Sequence, residues 1–237
     1  MDKKQAKRFY KSVSVEQVAA GYQVKLDERV LKSPAKASLM LPNKLLADEI
    51  AKEFDAQIEK ISPETMPIFS LASTAVDRVS TQRDTLDSEL VRYGQSDLIC
   101  YRCSQDEDEF LAKRQEEMWG AIQQWMSDTF DISLLAFDGI MPHPQPDSVL
   151  PKLEDAVKSV DNWRYVGLYR VTTLSGSLSL GLRFVTCDFA VDDLMAHAFL
   201  DEYYQEEKWG VDEWAVERRD NIKTELADAS RFLSLLQ

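Results

Sequence analysis

The chain has 237 residues, 44% of them hydrophobic, and a formal net charge of −13. That length and composition suit a soluble globular protein of one large or two small domains. The charge argues against nucleic acid, whose phosphates require a Lys/Arg footprint, and against anionic membrane surfaces; a basic or neutral protein partner fits better.

The opening Met1-Asp-Lys-Lys-Gln-Ala-Lys-Arg8 has no apolar h-region, and no uninterrupted apolar stretch approaches bilayer length. The expectation is therefore a chain that is neither secreted nor membrane-inserted. From Phe9 to Leu41 apolar residues recur with a period of two: Val13 and Val15; Tyr22, Val24 and Leu26; Val30; Leu39 and Leu41. The breaks at Ala19-Ala20-Gly21, Asp27-Glu28 and Lys32-Ser33-Pro34-Ala35 predict a small antiparallel sheet of hairpins, which needs a cover for its apolar face. Asn43 after Pro42 is placed to cap a helix carrying Leu46, Ile50, Phe54 and Ile58 at helical spacing, ending at Ile61-Ser62-Pro63.

Beyond Pro67 the pattern turns helical, and the boundary is placed there. An α+β fold is expected, with a small β-rich domain and one covering helix over residues 1–65 and an all-α domain over 66–237. The expected helices run from Ile68 to about Ser80, Arg83 to Tyr93 with Gly94 as its stop, and Glu107 to Asp128 with Phe110, Met118, Ile122 and Trp125 near one side. Phe137 to Pro146 reads as a loop. Pro151–Val160 and Trp163–Val185 follow, the latter interrupted by Ser175-Gly176-Ser177, where a missing side chain would let another helix pack closely. A helix from Val191 is stopped near Gly210, and a last one spans Asp212 to Leu236.

The Val191 helix carries the anomaly. Stepping about 100° per residue, Leu194, Met195, Ala198 and Phe199 share an apolar arc with Glu202 near its centre, while Leu200, Asp201 and Tyr204 point elsewhere. A carboxylate in that position is a structural ion pair, a functional group or a contact to a partner. Arg78, Arg92, Arg102 and Arg170 each interrupt apolar or small-residue patterns, and one of them is expected to pair with Glu202.

Other chemistry is sparse. The two histidines, His143 in a Pro-His-Pro loop and His197 off the apolar arc, read as surface residues, and no nucleophile elbow, phosphate loop, dinucleotide fingerprint or H-E-x-x-H occurs. Cys100-Tyr-Arg-Cys103 is a C-x-x-C, half a zinc site or a redox pair in principle. Only Cys187 and His197 could complete a zinc site, and no βαβ unit frames the pair, so structural thiols in a reducing compartment are the simpler reading.

Several stretches together resemble a known family. They are Arg8-Phe-Tyr-Lys11, Val24-Lys-Leu-Asp27 with Leu31-Lys-Ser-Pro-Ala35, Met66-Pro67 leading into Leu71-Ala-Ser-Thr-Ala-Val-Asp-Arg-Val79, and Tyr93 through Ser96-Asp-Leu-Ile-Cys-Tyr-Arg102. Arg114-Gln115 with Trp119, Gly176-Ser177, and Leu200-Asp-Glu202 before Trp209-Gly210 complete the set. In this order, over nearly the full length, they resemble the assembly chaperones of the alpha subunit of the F(1) sector of ATP synthase, found in mitochondria and alpha-proteobacteria. The chain departs from the family at Glu28, where a turn glycine is usual, at Phe54 for Trp, and at Ser33 and Ser96 for Thr.

The resemblance implies a chaperone rather than an enzyme, with no cofactor. It would bind the unassembled alpha subunit and shield the surface that later meets the beta subunit, as a monomer when free, in the bacterial cytoplasm or the mitochondrial matrix. Glu202 leads the client-binding candidates, with Asp201, Tyr203, Trp209, Arg78 and Arg102. The alternative is a small enzyme or redox protein using Glu202 with an arginine, or Cys100 with Cys103.

Overall fold

A computed structural model describes residues 7–139, 141 and 143–237. Strands β1 (Val13–Val18), β2 (Gly21–Leu26) and β3 (Arg29–Val30) form an antiparallel sheet in that order, with Val13 opposite Leu26 and Lys25 opposite Val30. Both hairpins turn where the sequence breaks. Glu28 replaces no required glycine, because the left-handed residue of the second turn is Asp27 (φ 52°). Its carboxylate oxygen Oδ1 accepts the N–H groups of Lys11 and Ser12 at 3.0 and 2.9 Å, which ties the turn to the strand entry.

Helix α1 (Lys44–Asp55) covers this sheet, and its start is the expected one: Asn43 Oδ1 accepts the Leu46 N–H at 2.9 Å. Leu46, Ile50 and Phe54 are buried, but α1 ends at Asp55, a turn before Ile58, which is left 85% exposed. Arg8 closes that end by donating to the carbonyls of Asp55 and Gln57. Helix α2 (Pro67–Thr74) begins where Glu53 of α1 reaches it: the carboxylate accepts the N–H groups of Ile68 and Phe69, each at 2.8 Å. It runs through a π-helical turn, Ala75–Val79, into α3 (Ser80–Gln95), whose backbone kinks at Gln82.

The chain divides into two compact units: residues up to Arg83 together with Asp228–Gln237, and Asp84–Ala227. The expected division lay between residues 65 and 66. It moves because α2 packs on α1, and because the chain end returns to the first unit, where Asn43 Nδ2 donates to the Leu235 carbonyl at 2.8 Å and Arg231 pairs with Glu49. The α+β class holds: a three-stranded antiparallel sheet with its covering helix is followed by a helical region.

In the second unit, α3 passes through Gly94 instead of stopping at it. A Cβ there would meet Leu178 at 2.8 Å and Leu153 at 3.0 Å, so this glycine serves close packing. Strand β4 (Tyr101–Arg102) pairs in parallel with β5 (Phe137–Asp138), within what the sequence suggested was a loop. Between them lies α4 (Glu109–Phe130), whose buried stripe is Ala112, Gln115, Trp119, Ile122 and Met126; Phe110 is 77% exposed.

Helices α5 (Val149–Lys158), α6 (Asn162–Ser175) and α7 (Leu178–Thr186) follow. Gly176, at φ 74°, is the left-handed stop of α6 and not a packing contact. Ser177 then caps α7 through the Leu180 N–H at 3.1 Å. Asp97, fully buried, adds a second cap, accepting the Ser179 N–H at 2.9 Å and its hydroxyl at 2.8 Å. Helices α8 (Val191–Ala198), α9 (Leu200–Trp209) and α10 (Glu213–Ser234) complete the chain. No helix among the described residues is long and apolar enough to cross a membrane.

Candidate functional site

The expected continuous helix around Glu202 is two helices. Phe199 (φ −117°, ψ 25°) leaves helical geometry and resets the phase, so α9 buries Leu200 and Tyr204, four residues apart, and turns Glu202 away from the core. The Glu202 side chain is 35% exposed. No glycine or proline marks this break, which is why the periodicity missed it.

The partners of Glu202 also differ from those expected. Arg218 Nη2 donates to both its oxygens at 2.6 Å, and Arg219 Nη1 donates at 2.9 Å. Both arginines lie on α10, beyond the turn at Gly210. Arg219 is 4% exposed; it also donates to Glu206 and stacks over the Tyr203 ring, 4.9 Å from guanidinium carbon to centroid. A buried guanidinium held by two carboxylates and an aromatic face is a rigid element.

None of the four arginines first considered fills that place. Arg78 lies exposed on the π-helical turn of the first unit, Arg92 is exposed on α3, and Arg170 pairs with Glu225 at 3.0 Å. Arg102 is buried, donates to the Gln115 carbonyl and, at 2.7 Å, to Gln123, and sits 5.4 Å from the centroid of the Trp119 ring.

Gln115, not singled out in the sequence as a site residue, links two of the candidates. Its amide donates to Asp201 at 2.8 Å and accepts the Cys103 N–H at 2.7 Å, while its carbonyl takes Arg102. Burial, and then the neighbouring Glu202 charge, push the Asp201 carboxyl upward against the Gln115 hydrogen bond. The C-x-x-C pair sits beside this node. Burial pushes the Cys100 thiol up to about 12, so it stays protonated near neutral pH, and Cys103 is raised as well; neither has the depressed pKa of a reactive thiolate. No cluster of three His, Cys, Asp or Glu residues able to hold a metal occurs among the described residues.

Next to the Glu202 cluster, α4, α8, α9 and the loop after α9 enclose a groove of about 670 Å³. Met118, Ala196, Leu200, Tyr203 and Val211 give it apolar walls. Its rim is charged: Arg114 forms a two-pronged pair with Glu207 at 2.8 and 3.0 Å, and lies over the Tyr204 ring. Tyr204 itself is core, donating to Asp108 at 2.6 Å, and Lys208 neutralises Asp108 from the same helix, drawing its pKa down to about 2. Val211 of the groove wall and its chain neighbours Trp209 and Trp214 stand 68%, 76% and 82% exposed. The arrangement suits docking: an apolar trough, exposed aromatic anchors, and a salt-bridged rim that fixes their backbone.

The model of the ATP12 chaperone protein family matches residues 7–127. The chain belongs to that family. This is the ATP synthase assembly chaperone family to which the sequence resemblance pointed, and its members are named as chaperones, not enzymes. The crystal structure of Atp12 from Paracoccus denitrificans superposes with a TM-score of 0.91 at 35% identity, over 98% of this chain and 99% of that one. The putative chaperone Atu1473 from Agrobacterium tumefaciens gives 0.88 at 31%, over 98% and 86%. The mitochondrial protein atp12 of Schizosaccharomyces pombe is 25% identical across 94% of this chain and 81% of its own length. The family model ends at residue 127, so the Glu202 cluster and the Trp209–Trp214 rim of this ATP12 chain lie beyond the matched segment.

Proposed function

We propose that the protein binds the unassembled alpha subunit of F(1)-ATPase, acting as a monomer, and keeps it from self-association until it pairs with the beta subunit. The bacterial cytoplasm or the mitochondrial matrix is where such a client is made or folded. The client surface is the groove between α4 and α9 with its rim of Trp209, Val211 and Trp214. The observation that supports this most is that stretch: two tryptophans and a valine, close in sequence and each more than two-thirds exposed, with the valine lining an apolar groove. Exposed apolar groups clustered this way are a cost in a monomer unless something covers them, and Trp is the residue most enriched at binding hot spots.

The alpha subunit is a fitting client because subunits that bury large apolar interfaces in an assembly expose them beforehand. The Glu202–Arg219–Glu206 cluster holds α9 against α10 and so fixes the spacing of the two tryptophans, which gives Glu202 and Tyr203 a positioning part and Trp209 a contact part. The test is binding of purified alpha subunit by the native chain and by a Trp209→Ala/Trp214→Ala variant, read by co-elution and by protection of the alpha subunit from aggregation. The native chain binds alpha over beta, and the variant, with unchanged melting, loses at least tenfold in affinity. Equal binding of alpha and beta overturns the client; undiminished binding by the variant overturns the surface.

A further inference from the structure

The first unit carries an inversion of charge. In a chain of net charge −13, five of the first eleven residues are basic and only Asp2 is acidic. Lys7 and Lys11 come together with Lys60, all exposed, around a groove of about 590 Å³. Among the described residues, Glu59 is the one carboxylate in its lining.

The groove has a built frame. Lys7 bridges Lys60 in antiparallel fashion, and the Arg8 N–H donates to the Glu59 carbonyl at 2.9 Å. Arg8 spends its guanidinium on the carbonyls at the end of α1 and on Asp55 at 3.5 Å, so it shapes the floor while the lysines supply the outward charge. Tyr10 is buried below, its hydroxyl donating to the Phe54 carbonyl at 2.7 Å, with the Phe9 ring edge-on at 5.3 Å. Phe9 and Ile58 are left 60% and 85% exposed.

We propose that this groove docks an extended, acidic protein segment carrying an aromatic or branched aliphatic anchor. Charge decides the sign of the partner: three exposed ammonium groups attract carboxylates and steer them from about a Debye length away. The exposed Phe9 and Ile58 supply what lysines alone lack, an apolar contact for an anchor side chain. The shape favours a chain over a bilayer, since a concave groove accepts a side chain whereas a lipid surface meets convex ground. The net negative charge of the whole protein would also repel an anionic membrane. The chain's own first six residues carry two lysines and one aspartate, which add to the charge and do not complement it. This surface is separate from the α4–α9 groove, and its test needs no alpha subunit.

The experiment uses the full chain and a fluorescent eight-residue peptide of alternating Glu/Asp with a central Phe. Its controls are the same peptide with Lys for each acid, the acidic peptide with Gly for Phe, and vesicles of phosphatidylglycerol and phosphatidylcholine. The acidic Phe peptide binds, with affinity falling at least tenfold from about 50 to 200 mM salt; Lys7→Glu/Lys11→Glu/Lys60→Glu lowers it at least tenfold, and Phe9→Ser/Ile58→Ser lowers it with less effect on the salt slope. All five positions are on the surface, so melting should hold. Equal binding of the lysine peptide, peptide binding undiminished in the charge-reversed variant, or binding to anionic vesicles without peptide binding each overturns the proposal. Self-association of the native chain that the triple variant abolishes would assign the groove to a second copy instead.

Discussion

Asp97 and Glu202 are both carboxylates of the helical unit, and they lead opposite lives. Asp97 is wholly buried and meets the Ser179 N–H and hydroxyl, the Ile99 N–H at 3.3 Å and the Ser177 hydroxyl; burial outweighs those donors and raises its pKa to about 6. Glu202 is a third exposed and clamped by two arginines. In the sequence Glu202 looked like the buried acid, and Asp97 stood out only as part of the Ser96–Arg102 stretch of the family resemblance. Hydrogen-bond donors at a helix start make a carboxylate structural, and arginines at a rim make it a positioning group.

The largest effect expected is from Asp97→Ala. It leaves four donors, the Ser179 N–H and hydroxyl, the Ser177 hydroxyl and the Ile99 N–H, without this acceptor, a loss of about 3 kcal/mol even after the relief of a desolvated charge. Urea melts measure it. The pH dependence has a definite sign: a carboxyl whose folded pKa lies above its unfolded value holds its proton more tightly when folded, so its contribution is complete below about pH 4 and is lost as pH rises through about 6. The deficit of Asp97→Asn against the native chain should therefore be greater at pH 4.5 than at pH 7.5. A deficit that grows toward pH 7.5 would mean an ion pair at this position.

Arg219→Ala comes next. It strips Glu206, 17% exposed, of its cation and removes the guanidinium from the Tyr203 ring. A cost of about 2 kcal/mol is expected, below that of a fully buried pair because both carboxylates keep contact with solvent. Chemical melting of the variant measures it, and a cost comparable to Asp97→Ala would make the rim as structural as the buried cap.

The first unit repeats the Asp97 device in milder form. Glu53 caps α2 through two N–H groups, and burial, aided by the nearby Asp228, raises it to about 7. Its share of stability is full below about pH 4.5 and falls as pH rises through 7, so Glu53→Gln should be destabilised at pH 5 by about 1 kcal/mol and near neutral at pH 8. Thermal melting at the two values checks the slope, and a flat difference would place the titration elsewhere.

The sheet, its hairpins, the Asn43 cap and most helices could be read from the sequence, because alternation, turn residues and caps act over a few positions. What escaped was non-local or unmarked. Ile58 continues a helical spacing that stops at Asp55, since Arg8, 47 residues earlier, ends the helix. The break at Phe199 occurs in Ala-His-Ala-Phe-Leu, which any propensity reading continues as helix. The arginines of Glu202 sit 16 and 17 residues downstream across a turn. At the candidate site, the orientation of Glu202 and the identity of its arginines differ from the sequence reading; Gln115, which joins Asp201 to Arg102, was in view only through the Arg114-Gln115 stretch of the family resemblance, because its bond to Asp201 spans 86 residues.

Glu202→Gln is the smallest expected change in stability and the most informative for function. The side chain is a third exposed, Arg219 keeps Glu206, and Arg218 returns to solvent, so a cost of about 1 kcal/mol or less follows. If Glu202 positions the rim, the same substitution loosens α9 from α10 and weakens alpha-subunit binding at least tenfold with melting nearly unchanged. Arg218→Lys, which retains charge but not the two-pronged geometry, should weaken binding by less. Unchanged binding would move the client surface away from α9–α10, whereas a stability loss near that of Asp97→Ala would return Glu202 to the structural role its sequence position first suggested.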